Sequence, residues 1–324
     1  MKKGLFVLFV LCALAGLAEA QESRLPRAMA SMGDSISEAI LADFSFENGL
    51  PTSEMWRMVG LGTISNKQER IQAFRDHYAA KGKVWSTGDD EESLVYSHFQ
   101  RLRELNPHII AKNFAVAGSE SKELSPQVDK LLQYEAEAGI EFDYLTLMIG
   151  ANDLKQDRVE QIPSALQFIG NIESQLRRIL ETRSQYTWIL LVGLPDIFHI
   201  FDETNDLVVK SILGKSFTCY GLRKTIYGES PLFESQDSQH RSQIKSLFDQ
   251  YHDGLYGLVE RLQDEFSFVE MKVVDRYETS QTAIKSISID CFHPSEFGQA
   301  EIAEITWKKG FWANWYPKFS LNWP

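Results

Sequence analysis

Apolar positions along the chain fall into two alternating patterns. Arg27 to Met32, Ile109 to Gly118, Tyr144 to Ile149, Trp188 to Leu194 and Phe268 to Val274 are short, dense runs of the kind that form strands buried on both faces. Between and after them, Lys67 to Ala80, Glu91 to Leu105, Val128 to Ala138, Ile162 to Thr182, Gln239 to Phe266 and Glu296 to Lys308 space their apolar residues as helices do. Strands alternating with helices predict an α/β fold: a largely parallel central sheet covered on both faces, a three-layer α/β/α stack. The stretch from Ser37 to Val84 fits the alternation poorly. It holds Phe44, Phe46, Met55, Trp56 and Met58 among several glycines. It reads either as an insertion packed over the sheet edge or as a wall or lid beside a site.

Three of the predicted strands end in polar turns. Gly33-Asp34-Ser35 follows the first, Gly118-Ser119-Glu120 the second, and Gly150-Ala151-Asn152-Asp153 the third. All three therefore sit past the carboxyl ends of their strands, the rim on which open α/β sheets build their sites. A glycine lets the backbone turn tightly, and a serine on such a turn can present its hydroxyl to a cleft. Ser35 is the candidate nucleophile on that ground.

An activated serine needs an imidazole, and the imidazole an acceptor that fixes its tautomer. The motif Asp-x-x-His offers both and occurs three times. Asp249 to His252 lies within the long helix, where this spacing is an ordinary surface pair. Asp196 to His199 follows the fourth strand on the favourable rim. Asp290-Cys291-Phe292-His293-Pro294-Ser295 lies in a loop ahead of the last helix, a setting that suits an exposed, preorganised histidine. His77, His98, His108 and His240 lack a suitably placed acid and read as surface or packing residues. The sequence carries no His-Glu-x-x-His, paired Cys-x-x-Cys or Cys/His cluster to hold a metal. Gly60-Leu61-Gly62 lacks the third glycine and the preceding strand of a dinucleotide fingerprint, so no cofactor is expected.

Met1-Lys2-Lys3, the apolar run Gly4 to Leu17 and Ala18-Glu19-Ala20 have the layout of a secretory signal peptide, with cleavage expected near Ala20 and export to the periplasm or outside. Residues 21–324 then read as one domain, with an insertion at about 37–84 and an aromatic tail at about 309–324. The chain carries 33 Lys and Arg against 45 Asp and Glu, a formal net charge of -12, and loss of the leader makes it more negative. Such a surface repels phosphate backbones, so no nucleic-acid partner is expected. Past the leader only Cys219 and Cys291 remain, and in an exported protein the expectation is that they pair. Trp307, Phe311, Trp312, Trp315, Tyr316, Phe319 and Trp323, with Lys308, Lys309 and Lys318 among them, suit either transient contact with a membrane surface or packing into a groove. The sequence does not speak to oligomeric state.

Taken together and in order, Gly33-Asp34-Ser35, Asn113 to Gly118, Gly150-x-Asn152-Asp153 and Asp290-x-x-His293 resemble the blocks of the GDSL-type lipases and esterases, the SGNH hydrolases. Trp85-Ser86-Thr87-Gly88-Asp89, Asn113-Phe114-Ala115-Val116-Ala117-Gly118 and Asp290-Cys291-Phe292-His293-Pro294 with Trp307 beyond it look closest to the phospholipase B branch. The resemblance spans about Met29 to Trp307. The 37–84 insertion and the tail after Lys308 depart from it. It implies a flavodoxin-like SGNH fold with Ser35 as nucleophile, His293 as general base and acid, and Asp290 as its orienter. The oxyanion hole would comprise the Ser35 and Gly118 backbone N–H groups and the Asn152 amide, with Asp34 and Asp153 bracing their turns. The implied activity is hydrolysis of carboxylic esters, with phospholipid acyl esters foremost and a lipid or other ester as the substrate. The competing expectations are acyl transfer or small-ester and carbohydrate-ester cleavage on the same triad, and a lipid-binding module without turnover.

Overall fold

The computed structural model describes residues 25–46, 51–212, 215–234, 238–275 and 283–313. The proposed leader and the aromatics Trp315, Tyr316, Phe319 and Trp323 lie outside them. Five strands form the central sheet: β1 (Ala28–Gly33), β2 (Ile110–Asn113), β3 (Tyr144–Met148), β4 (Thr187–Val192) and, later in the chain, β7 (Val269–Val274). Their order is β2-β1-β3-β4-β7 and every pairing is parallel. Parallel strands need crossover connections, and helices supply them on both faces. That is why β1, β3 and β4 are buried at every position. Strands β2 and β7 are the edges; β2 is short, carries Lys112 and leaves Ile110 exposed, features that discourage pairing with another chain.

The predicted second strand runs on to Gly118, but regular structure ends at Asn113. Beyond it the chain still follows β1, with Phe114 N–H donating to Ser31 C=O (2.8 Å) and Val116 N–H to Gly33 C=O (3.1 Å). Asn113 breaks the ladder by turning its own side chain to the backbone, accepting from Ala115 N–H and donating to Ser37 C=O.

The layers come from α3 (His98–Leu105), α4 (Ser125–Ala138), α6 (Ala165–Leu180), α9 (Gln239–Glu265) and α11 (Glu296–Lys309). The 37–84 stretch contributes α1 (Thr52–Gly62) and α2 (Lys67–Tyr78), and a short α5 (Ala151–Leu154) follows β3. After β4 come α7 (Ile197–Thr204), a hairpin of β5 (Val208–Ile212) and β6 (Lys215–Thr218), and α8 (Cys219–Tyr227); α10 (Ala283–Ser286) precedes α11. Ser97 and Ser164 start α3 and α6 with capping boxes closed by Gln100 and Gln167, satisfying N–H groups that the first helical turn leaves open. No described helix is long and apolar enough to cross a membrane.

Two histidines are core residues. His98 bonds Tyr144 Oη (2.7 Å) and Thr306 Oγ1 (2.8 Å) between the rings of Trp85 and Trp307, and burial pushes its pKa down to about 3. His252, expected as a surface partner of Asp249, is instead buried against Phe248, because it lies on the sheet-facing stripe of α9 with Tyr251 and Leu255. The described part of the tail packs inward: Trp312 stacks edge-on against Tyr144 and Trp188.

Candidate active site

The turn after β1 is held from several sides. Gly33 has φ +145°, and a Cβ there would lie 2.1 Å from the Met148 carbonyl oxygen of the neighbouring strand. Only glycine allows that approach. Gln127, on α4, accepts from Gly33 N–H (2.9 Å) and donates to Gly33 C=O (2.8 Å), so both backbone groups of the turn are met by one amide. Asp34 is fully buried and accepts from Ile36 N–H (3.0 Å). Burial raises its carboxyl to about 7 against that hydrogen bond and the pull of His293. Glu38 ties the loop outward, taking Arg75 of α2 at 2.7 Å and Ala117 N–H at 2.5 Å.

The second and third turns meet beside it. Gly118 has φ +75°. The amides flanking it are occupied, Ala117 N–H by Glu38 and Ser119 N–H by Val116 C=O. No acceptor among the described residues takes the N–H of Gly118 or of Ser35. Asn152 gives one amide hydrogen to Ser119 C=O (3.1 Å), leaving its second available. Asp153 accepts from Ser121 N–H (2.8 Å) and Oγ (2.6 Å), which joins the two turns. Its burial lifts the carboxyl to about 6.

The loop before α11 brings Asp290 Oδ2 to His293 Nδ1 at 2.6 Å, and Oδ1 accepts the N–H groups of Phe292 and His293. Burial alone would raise Asp290; the adjacent imidazole, its hydrogen bond and that of Tyr227 hold the carboxyl below its ordinary value. With Nδ1 engaged, Nε2 is the nitrogen of His293 left to exchange a proton. The expectation of an exposed histidine is wrong: His293 is 5% exposed. The loop folds back on itself, with Ser288 N–H on His293 C=O (2.8 Å), and the ring packs among Tyr227 and Phe292.

One helix carries most of this loop. Cys219, at the start of α8, is disulfide-bonded to Cys291, with Cα atoms 5.4 Å apart. One turn on, buried Arg223 donates to Cys291 C=O (2.9 Å), and burial lowers its guanidinium to about 10. A turn further, Tyr227 Oη donates to Asp290 Oδ2 (2.5 Å). Positions i, i+4 and i+8 share one helical face, and that face grips two consecutive loop residues, Cys291 twice and Asp290 once. Cys291 itself sits at φ +60°, a left-handed conformation costly for a residue other than glycine.

Ser35, Gly118, Asn152 and His293 line one cavity of about 240 Å³. Its apolar wall is Ile40, Ile71, Phe74, Ile226 and Phe292; its polar side includes Lys67, Arg70, Glu120 and Lys155. Helix α2 of the insertion is thus a wall of this cavity. Neither Asp196 and His199 nor Asp249 and His252 reach it. Asp196 caps α7, accepting from Phe198 and His199 N–H, while His199 faces solvent near Glu203. Gln127, Glu38, Arg223, Tyr227 and Lys155 were not anticipated; for Arg223 and Tyr227 the four-residue spacing from Cys219 was a signal available in the sequence. Among the described residues no group of three or more His, Cys, Asp and Glu side chains is placed to hold a metal.

The GDSL-like lipase/acylhydrolase family model matches residues 29–306. The chain belongs to that family and is a carboxylic-ester hydrolase, and its five-stranded sheet is parallel throughout. No curated protein sequence matches it. A family 2 carbohydrate esterase with a carbohydrate-binding domain from Corynascus thermopiles (Myceliophthora fergusii) is 12% identical, with TM-score 0.47 over 86% of this chain and 64% of that one. The chain therefore spans less than two thirds of that enzyme. The esterase EstA from Pseudoalteromonas sp. is 9% identical, with TM-score 0.41 over 89% of this chain and 98% of that one. A phospholipase A1 from Streptomyces albidoflavus is 11% identical, with TM-score 0.39 over 88% and 100%. At these values the likenesses carry no argument about substrate.

Proposed function

We propose that this protein is an exported serine esterase that cleaves acyl esters of phospholipids through an acyl-enzyme. The observation that carries the reading is the His293–Asp290 bond of 2.6 Å beside a cavity that Ser35, Gly118, Asn152 and His293 share. In this mechanism Ser35 Oγ attacks the ester carbonyl carbon while its proton passes to His293 Nε2. Asp290 holds the ring and stabilises the imidazolium. The carbonyl oxygen becomes an oxyanion, met by the free N–H groups of Ser35 and Gly118 and the second amide hydrogen of Asn152. Such donors are worth about 3 kcal/mol each in transition-state stabilisation. Collapse breaks the bond to the alcohol oxygen, which takes the proton from His293. Water then repeats the sequence on the acyl-enzyme and releases the acid.

Two features favour lipid esters and export. The cavity pairs the apolar wall with a cationic side, as an amphiphilic ester requires, and the blocks around Trp85, Asn113 and Asp290 resemble the phospholipase B branch. The disulfide suits an oxidising compartment.

The test is fluorophosphonate labelling with peptide mapping of wild type and Ser35→Ala, followed by turnover of phospholipids against neutral esters. Label confined to Ser35, and phospholipid cleavage lost on the order of a million-fold in Ser35→Ala, is the expected result. Label elsewhere would remove Ser35 from the mechanism. Cleavage of neutral esters alone would remove phospholipids as the substrate.

A further inference from the structure

The cavity beside Ser35 has a charge problem that the catalytic groups do not solve. In a chain of net charge -12, three cations line it: Lys67 and Arg70 from α2, and Lys155 just past α5. Lys67 is balanced by Glu120 at 3.1 Å and Glu123 at 3.5 Å. Arg70 donates Nη1 to the Ile64 carbonyl (3.0 Å), and no described carboxylate lies within 4 Å of its guanidinium. Lys155 Nζ lies over the faces of Tyr227 (4.9 Å) and Phe292 (5.6 Å), again with no described carboxylate within 4 Å. Aromatic faces attract a cation without neutralising it.

The groups around Lys155 leave it electrostatically incomplete. Burial, then Arg70 and Lys67, lower its ammonium to about 8, against the opposing pull of Asp34 and Glu120. Tyr227 is neutral in this setting, its hydroxyl raised well above the ordinary value by burial and by Asp290. Asp157, also on the cavity wall, is exposed to water. An arginine fork next to a lysine point charge fits a tetrahedral oxyanion. The adjoining wall of Ile71, Phe74 and Ile226 fits the apolar part of the same molecule.

We propose that Arg70 and Lys155 form an anion subsite that takes the phosphate on the alcohol portion of the substrate, making the enzyme selective for phosphate-bearing acyl esters. This rests on the phospholipid-esterase reading of the same cavity, and it adds the two residues that would select the phosphate.

The subsite is tested apart from turnover by titrating glycerol 3-phosphate into the full protein at constant ionic strength, following binding by calorimetry and thermal shift. Wild type should bind at pH 7, and Lys155→Gln and Arg70→Gln, checked for fold by circular dichroism, should each bind at least tenfold more weakly. Between pH 7 and 9 wild-type binding should weaken about tenfold as Lys155 loses its proton, whereas Lys155→Arg should bind alike at both. Absent binding, or binding equal in wild type and both glutamine variants, overturns the subsite. The source of the phosphate is then settled by kcat/KM for a 1-acyl-glycerol 3-phosphate against the matching 1-acyl-glycerol. A preference for the phosphorylated ester that falls tenfold or more in Lys155→Gln supports the proposal. Glycerol 3-phosphate binding without such a preference overturns the substrate claim while leaving ester hydrolysis at Ser35 intact, and inorganic phosphate binding as tightly as glycerol 3-phosphate would assign the site to free phosphate.

Discussion

Tyr227 donates its phenolic hydrogen to Asp290 Oδ2, the same carboxylate oxygen that receives His293 Nδ1. The tyrosine thus shares the charge that orients the histidine. Its oxygen is also 3.4 Å from Nδ1, so it fixes the carboxylate from the side opposite the loop backbone. A hydrogen bond to a charged group contributes roughly 1.5–3 kcal/mol. Tyr227→Phe should therefore lower kcat/KM by about tenfold or somewhat more. With one donor fewer, Asp290 becomes the stronger acceptor for His293, and the acid limb of the pH–rate profile should move to higher pH. An unchanged limb together with unchanged kcat would show that Asp290 needs no support from α8.

The disulfide has a second consequence through the same helix. Cys219 and Cys291 are 72 residues apart in sequence, and closing a loop of that size in the unfolded chain is worth about 4 kcal/mol in the entropic model. For a domain this large, that corresponds to a Tm lowered by roughly 8 °C on reduction or in Cys219→Ser/Cys291→Ser. Activity should fall at temperatures where the reduced protein is still folded, since Cys291 lies between Asp290 and His293 in a left-handed conformation. Scanning calorimetry and ester turnover, with and without reductant, check both. Loss of stability with kcat intact below the transition would restrict the bond to a stabilising role.

Strands β1, β3 and β4 were legible because they are buried on both faces and so read as unbroken apolar runs. The three polar turns were legible because each follows such a run. What the sequence hid was the support. Gln127 reaches Gly33 across 94 positions, Tyr227 reaches Asp290 across 63, and Arg223 reaches Cys291 across 68. No local pattern announces the reach of Gln127, and for Arg223 and Tyr227 the only signal is their four-residue spacing from Cys219. Helix α1 was obscured by Gly60 and Gly62, and only Met55 and Met58 of its residues are buried. Helices α7 and α8 were lost because each is only about two turns long, with a two-stranded hairpin between them.

Asp34 gives the protein a pH-dependent weakness. Burial raises its carboxyl from 3.8 to about 7, so the folded state holds the proton more tightly than the unfolded chain. A group shifted in that direction contributes stability below about pH 4 and loses it as pH climbs to about 7. His98, lowered to about 3, acts oppositely and gains stability as pH rises to about 6.5, so wild type alone cannot isolate the effect. The comparison is Asp34→Asn, which keeps Oδ1 for Ile36 N–H and abolishes the titration. Its stability relative to wild type, followed by Tm, should rise steadily from pH 4 to pH 7.5, by on the order of a few kcal/mol in all. A constant difference across that range would mean that Asp34 does not titrate in it.

Gln127 should prove as necessary to the turn that carries Ser35 as Gly33 itself. Its amide is the partner of both Gly33 backbone groups and also donates to Ser119 Oγ (3.1 Å), so one side chain spans the turn that presents Ser35 and the turn that presents Gly118. In Gln127→Met the volume is nearly conserved, but the buried Gly33 N–H loses its partner, at a cost of about 1–3 kcal/mol, and the Gly33 C=O loses one of its two donors, keeping Val116 N–H. The turn can recover them only by moving, which displaces Ser35 relative to the Gly118 and Asn152 donors. The expected outcome is a Tm lower by several degrees and a kcat reduced by about a hundredfold with KM little changed, because transition-state geometry suffers more than ground-state binding. Gln127→Glu separates the two causes: it still accepts from Gly33 N–H but, ionised, repels the Gly33 carbonyl. Its activity loss should be relieved at acid pH relative to wild type. Equal losses in Gln127→Glu at all pH values would assign the effect to packing around α4 instead of the double hydrogen bond.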